Sequence, residues 1–280
     1  MFKKTRLSRS LARFGVACAV TVIAGCSTVE TTGSGSVGVE RKQYMSGMVP
    51  AAALEQEASQ QYATLMAQAK AQGALDTDPA QTQRVNAITR KLIQQVAAFR
   101  PDASSWKWEA HVLRSDDVNA WCMPGGKIAV YTGLINQIKP TDDELAAVIG
   151  HEMAHALREH SREQVSQKMA TNIGLTVLSA VTGAGATADL GSALSEVMFT
   201  LPNSRTHEAE ADRIGVELAA RAGYDPRAAV TLWQKMGSLS SGGGQPEFLS
   251  THPSPTSRST DLTAAANKVM PLYQQASGKK

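Results

Sequence analysis

The residues best suited to do chemistry are His151-Glu152-Met153-Ala154-His155. On a helix, two histidines four positions apart share one face, a turn from each other. Imidazoles so placed can hold one tetrahedral metal ion through ring nitrogens at about 2.0–2.1 Å. Glu152 is turned about 100° from His151, so it can border a water at such an ion without ligating it. With 6 histidines and 14 glutamates among 280 residues, the pattern is expected by chance roughly 0.006 times. A hydrolytic metal site also needs a third protein donor and an open position. In His207-Glu208-Ala209-Glu210-Ala211-Asp212, Glu208 and Asp212 are four apart and can both face the first helix, while Glu210 points elsewhere. Spacing alone leaves His207 or Glu208 as the third donor. His160 reads as a solvated surface side chain without a role.

These residues need elements to position them. Thr141-Asp142-Asp143-Glu144 has the pattern of a capping box and opens the helix that carries the two histidines. Leu145, Val148, Ile149, Met153, Ala156 and Leu157 supply its core face, and a polar stretch to Lys168 continues it. Residues 169–188 carry no charge, but their threonines, serine, asparagine and glycines predict a buried helix and loop rather than a membrane span. A further helix begins at Asn203 or Ser204, runs through Ala220 and closes at Gly223. Earlier in the chain, residues 51–71 and a stretch opened by Asp78-Pro79 predict two helices. Residues 106–113 and Lys127–Tyr131 predict two strands that form a small antiparallel sheet. As an edge strand, Lys127, Ile128, Ala129, Val130 and Tyr131 would pair with the backbone of a bound peptide. Asn119 either contacts that peptide or steadies its own loop. Three glycines at 242–244 predict a mobile loop before His252.

The first 25 residues read as an address. Five basic residues and no acid precede an apolar stretch too short to span as a mature helix, then small residues and Cys26. Ile23-Ala24-Gly25-Cys26 resembles a bacterial lipobox, which predicts cleavage before Cys26 and lipidation of it; several acyl chains on one residue give stable anchoring. Without this leader the chain has 23 basic and 25 acidic residues, a balance that excludes nucleic acid as an expected partner. Cys18 lies in the leader and Cys26 would be acylated, so only Cys122 remains and no intramolecular disulfide can form. At 42% apolar, 19% charged and 5% aromatic residues, the composition is globular and excludes a disordered or collagen-like chain. The predicted organisation is a signal peptide at 1–25, a lipidated Cys26 with a flexible tether at 26–50, one domain at 51–270 and a frayed tail at 271–280.

The chain resembles the zinc metallopeptidase family that includes the HtpX-like heat-shock proteases, the CAAX prenyl endoproteases and the periplasmic BepA and LoiP proteases. Five pieces carry the resemblance: residues 119–126 (NAWCMPGG), residues 131–134 (YTGL), residues 143–150 (DELAAVIG) running into the two histidines, residues 204–212 from Ser204-Arg205 to Asp212, and residues 252–258 from His252-Pro253 to Arg258. The resemblance implies an α+β, mainly α-helical, gluzincin-like domain with a small antiparallel sheet. It implies one zinc ion held by His151, His155 and Glu208, with Glu152 as general base. Asp212 would orient a ligand histidine from behind, and Arg258 would steady the Glu208 region. His252 would lie near the metal, either stabilising the oxyanion or occupying the fourth position at rest. The implied activity is endoproteolysis of unfolded or misassembled envelope proteins from a lipid anchor on the periplasmic face of the outer membrane, with the outer-membrane assembly machinery as a partner. The alternative it implies is a periplasmic chaperone or assembly factor that rarely cuts.

Overall fold

A computed structural model of the chain describes residues 26–182, 190–240, 246–253 and 257–278. The proposed leader, the glycines at 242–244 and the middle of the 252–258 segment lie outside the described residues. The described part is mainly helical with two small sheets. β1 (Cys26–Val29) and β2 (Gln43–Ser46) form an antiparallel pair. β3 (Glu109–Leu113), β4 (Ala120–Met123) and β5 (Lys127–Tyr131) form the second sheet in the order β3-β5-β4.

The second sheet corrects two expectations. β3 and β5 run parallel, not antiparallel, and β4 is the strand antiparallel to β5. Lys127–Tyr131 is therefore the middle strand, paired on both sides, and has no free edge for a peptide. Lys127 is buried, with its ammonium 2.5 Å from both the Lys107 carbonyl and the Glu109 carboxylate. Both faces of this sheet are covered. Ile128 and Val130 enter the main core, while Ala129 joins Trp121 and Met123 in a second one, the alternation that the two-residue strand period requires.

Helices pack over both faces of this sheet and beside it. α1 (Ala51–Ala71) buries Leu54, Ala58, Tyr62 and Met66, one every fourth residue, over the second core. α2 (Pro79–Ile93) starts as read: the Asp78 carboxylate accepts from the Ala80 and Gln81 amides, and Pro79 occupies the first turn, where no amide is needed. α3 (Asp142–Leu157) carries the two motif histidines. Thr141 Oγ1 accepts from the Glu144 amide at 3.2 Å, and Glu144 accepts from the Thr141 amide at 2.8 Å. The Glu144 carboxylate also takes Lys235 at 2.6 Å and Thr231 at 2.8 Å, which ties the cap to the later helix that carries both. Every residue from Glu144 to Leu157 is buried, so this helix is enclosed on all sides rather than half exposed.

α3 stops at Leu157 instead of continuing to Lys168. Glu159 adopts φ +53°, a left-handed conformation unfavourable for a residue with a Cβ. Its carboxylate is held by Arg100 at 2.6 Å and by Arg162 at 2.7 Å, contacts that offset the strain. The chain then turns into α4 (His160–Thr182), followed by α5 (Leu190–Phe199), α6 (Arg205–Arg221), α7 (Ala228–Ser240), the short α8 (Glu247–Thr251) and α9 (Arg258–Ser277). Among the described residues no helix is long and apolar enough to cross a membrane. α9 extends to Ser277, past the point where fraying was expected.

Residues 26–50 are not a free tether. Val37, Val39, Met45 and Val49 are buried. The Val37 amide donates to buried Glu217 on α6 at 2.9 Å. Gln43, fully buried, donates to the Arg158 carbonyl at 2.7 Å.

α3 and α6 pack against each other at two glycines. A Cβ on Gly150 would come within 2.9 Å of the Gly215 carbonyl oxygen, and one on Gly215 within 2.7 Å of the His151 nitrogen. Both obstacles are backbone, which cannot swing aside. Gly215→Ala is expected to destabilise the protein by about 1–3 kcal/mol in urea titration, despite alanine's better helix propensity. Gly237→Ala, on α7 with nothing within 4 Å of the added carbon, should instead stabilise it by about 0.5–1 kcal/mol. Equal effects of the two substitutions would refute the close-contact account.

Candidate metal centre

Four buried residues bring one ligand-type atom each to a single point: His151 and His155 from α3, Glu208 from α6, and His252 after α8. His155 Nε2 lies 3.1 Å from His151 Nε2, and His252 Nδ1 lies 3.3 Å from His151 Nε2. Glu208 Oε1 is 3.0 Å from His252 Nδ1 and 3.4 Å from His155 Nε2, while its Oε2 is 3.4 Å from His151 Nε2. Donors about 2.0–2.1 Å from a common centre at tetrahedral corners sit about 3.3–3.4 Å apart; the pairs above lie at 3.0–3.4 Å, and one atom from each of the four residues falls within 4.8 Å of the others, close enough to converge on one cation. Its charge fits as well. Glu152, Glu208 and Asp212 carry three negative charges when ionised, against one positive charge on Arg258, and all four are buried. A divalent cation would balance that excess, which burial otherwise makes costly. The residues present could hold a zinc ion.

Local sequence explains how each donor arrives. The i, i+4 spacing on α3 places the two imidazoles together, their ring centroids 4.7 Å apart. Ser204 caps α6 by accepting from the His207 amide at 3.1 Å. That start sets Glu208 toward α3, with Asp212 one turn further on. Asp212 Oδ1 lies 3.0 Å from His151 Nδ1, behind the ring. Arg258, 2% exposed, reaches Glu208 at 3.1 Å and Asp212 at 2.6 Å and lies over the Trp233 ring at 3.2 Å. His252 stacks on Phe248 with ring centroids 4.3 Å apart, and its Nε2 is 3.5 Å from Glu152 Oε1.

Burial raises the Glu152 carboxyl above its ordinary value, with His252 and His151 opposing the rise. That is the direction a carboxylate needs if it is to take up and return a proton near neutrality. Burial also penalises charge on Glu208, yet His252 and His151 beside it win and hold its carboxyl well below the usual range.

The two candidates for the third donor are now separated. Glu208 joins the cluster and His207 does not. His207 stacks on His160 with centroids 4.3 Å apart and points its Nε2 to Glu163 at 3.1 Å. His160 is also not on the surface: it is 1% exposed, with its Nδ1 2.9 Å from His155 Nδ1. On an unbroken helix two residues five apart diverge by about 140°, so the turn at Glu159 is what brings the rings together.

A cleft opens over Glu152, His155 and His252, walled by Ala120 and Trp121 of β4 and by Phe199. β4 is the outer strand on this side of the sheet. It takes the position expected for Lys127–Tyr131. Asn119 lines the same cleft, and its side-chain oxygen accepts from the Ala120 amide at 2.8 Å.

Peptidase family M48 matches residues 38–266, most of the chain and all four convergent residues. The chain belongs to that family. Among its relatives, the mitochondrial metalloendopeptidase OMA1 of Arabidopsis thaliana is 44% identical over 179 residues, 64% of this chain and 36% of the relative. The human metalloendopeptidase OMA1 is 40% identical over 166 residues, 55% of this chain and 31% of the relative. The beta-barrel assembly-enhancing protease of Escherichia coli O157:H7 is 28% identical over 222 residues, 75% of this chain and 44% of the relative. The chain thus spans 31–44% of the length of these relatives. The four convergent residues on α3, on α6 and after α8 all lie within the stretch that matches the family.

Arg258 is the only arginine or lysine in direct contact with both Glu208 and Asp212 among the described residues. Arg258→Met should leave two buried carboxylates without their counter-charge and cost about 3–5 kcal/mol in chemical denaturation of the protein. A loss below about 1 kcal/mol, typical of an exposed ion pair, would contradict this account.

Proposed function

We propose that the chain is a zinc endopeptidase of the bacterial envelope that cuts unfolded or misassembled proteins. The carrying observation is the set of four donor atoms with neighbours 3.0–3.4 Å apart, with Glu152 at their side. In this reading His151, His155 and Glu208 hold one zinc ion. The ion when bound supplies Lewis acidity toward water and the scissile carbonyl. The Glu152 carboxylate removes the proton of the attacking water and delivers it to the departing amine nitrogen. Asp212, its Oδ1 3.0 Å from His151 Nδ1, steadies that ring from behind. His252, already within the donor set through Nδ1, would also hold the ion at rest, and its imidazole would have to withdraw for substrate to enter.

An extended peptide would lie along β4, adding a strand to the sheet over Glu152. Such pairing reads backbone more than side chains, which suits unfolded substrates of varied sequence. The lipobox-like residues before Cys26 support a lipid anchor, with the periplasmic face of the outer membrane as the site of action. A second reading, an assembly factor for outer-membrane proteins with little cutting, is favoured by the similarity to a beta-barrel assembly-enhancing protease. OMA1 relatives are mitochondrial, so the envelope location rests on the leader and on the bacterial relatives.

Purified wild type should degrade unfolded casein, and chelator should stop it. Glu152→Gln should lose at least about 10²–10⁴ in turnover, the contribution typical of a general base, while still binding zinc. A Glu152→Gln protein that cuts normally would overturn the peptidase mechanism; one that still relieves an envelope-assembly defect in cells would favour the second reading. For the anchor, Cys26→Ala should release the protein from membranes or leave the precursor uncut, as read by fractionation and mature mass. Unchanged fractionation and mass would exclude lipidation.

A further inference from the structure

A buried chain of polar groups runs from the back of the metal centre to the segment that follows Cys26. His155 turns Nε2 to the other donors and Nδ1 to His160 Nδ1 at 2.9 Å. His160 Nε2 lies 3.0 Å from Glu210 Oε2. Arg41, between β1 and β2, donates to Glu210 Oε1 at 2.7 Å and grips both oxygens of Glu163 at 2.7 and 2.8 Å. Arg158 donates to Glu210 from the other side at 3.1 Å. Gln43 donates to Glu163 at 3.0 Å, and His207, stacked on His160, completes the cluster. Two arginines face two glutamates, so the cluster is electrically balanced with its histidines neutral.

The proton positions follow from the geometry. A ring nitrogen that faces a metal carries no proton, so a neutral His155 holds its proton on Nδ1. His155 Nδ1–H then donates to His160 Nδ1. His160 carries its own proton on Nε2 and donates it to Glu210. Every donor meets an acceptor in one sense only; reversing His160 would set two N–H groups against each other at 2.9 Å. His151 has a carboxylate, Asp212, directly behind it. Among the described residues His155 has no carboxylate there, and the His160–Glu210 pair supplies the equivalent support at one remove.

We propose that His160 is a positioning residue for the metal donor His155, and that Arg41 holds it in place through Glu210, so that the N-terminal hairpin segment is a working part of the metal centre. This rests on the reading of His155 as a zinc ligand. Outer partners of this kind fix ring orientation and tautomer, and losing one typically weakens metal binding about 10–100-fold. Arg41 is 169 residues from Glu210 in sequence, yet it is the contact that ties this segment to the partner of His160.

The test uses the full chain, stripped and titrated with zinc against a competing chelator. Cobalt substitution reports donor geometry, and the thermal midpoint of the stripped protein reports folding. His160→Phe keeps a ring for His207 to stack on but accepts no hydrogen bond. It should bind zinc about 10–100-fold more weakly, with an altered cobalt spectrum. His160→Asn, whose amide oxygen falls near the place of Nδ1, should recover most of the affinity. Arg41→Met, at a side chain one-third exposed, should weaken zinc binding in the same direction without touching a donor, and it decides the matter if His160→Phe does not fold. Leu54→Ala, a truncation in the other core, should lower the thermal midpoint and leave zinc affinity unchanged. Wild-type zinc affinity and cobalt spectrum in a folded His160→Phe, or in Arg41→Met, would overturn the proposal. Failure of the wild type itself to bind zinc would instead overturn the metal-centre reading.

Discussion

The contact on which the centre depends is the backbone approach of α3 and α6 at Gly150 and Gly215. Any Cβ at either position would meet backbone atoms of the facing helix within 2.9 Å. That approach lets a glutamate on one helix share a point with two histidines on the other. A glutamate side chain is short; with the helices held apart by even a methyl group on each, Glu208 would no longer span to both imidazoles. The same contact places Asp212 behind His151 and within reach of Arg258. Geometry that looks like a property of the donors is set by two residues that have no side chain.

Burying this much charge is unfavourable unless each group is matched. The domain solves the problem in two compartments. Around the donors, Arg258 offsets part of the carboxylate charge and a divalent cation would offset the rest. Behind them, Arg41 and Arg158 neutralise Glu163 and Glu210. His160 is the junction, since one of its nitrogens faces each compartment. The hairpin segment is therefore part of the electrostatic balance of the interior, which explains why a Ser, Thr and Gly-rich stretch is packed rather than loose.

The cleft and the sheet fit one another for a similar reason. β5 is paired on both sides and carries hydrophobic residues to two cores, so it serves the fold. β4 lies beside α3 and borders the cleft over Glu152. In the proposed reading, a peptide aligned on its outer side would run past Glu152.

The sequence by itself determined what depends on neighbours along the chain. The capping box at Thr141, the cap at Ser204, Pro79 in the first turn of α2 and the paired histidines one turn apart are all local, and the structure has each of them. Residue types alone also limited the donors to two histidines and one of two adjacent residues, and similarity to a family selected Glu208. Tertiary structure decided the rest. His207 and Glu208 are adjacent, and the choice between them follows from where α6 meets α3. β5 was legible as a strand, but its place in the middle depends on β3 and β4 choosing opposite sides of it. The helix carrying the motif read as continuous because glutamate is no usual mark of a left-handed turn. The break at Glu159 exists because Arg100, some 59 residues away, and Arg162 hold its carboxylate. That break turns His160 inward, and Arg41 meets Glu210 across 169 residues. Contacts of that separation leave no periodicity or spacing in a single sequence, because the energy that forms them comes from burial in a shared interior.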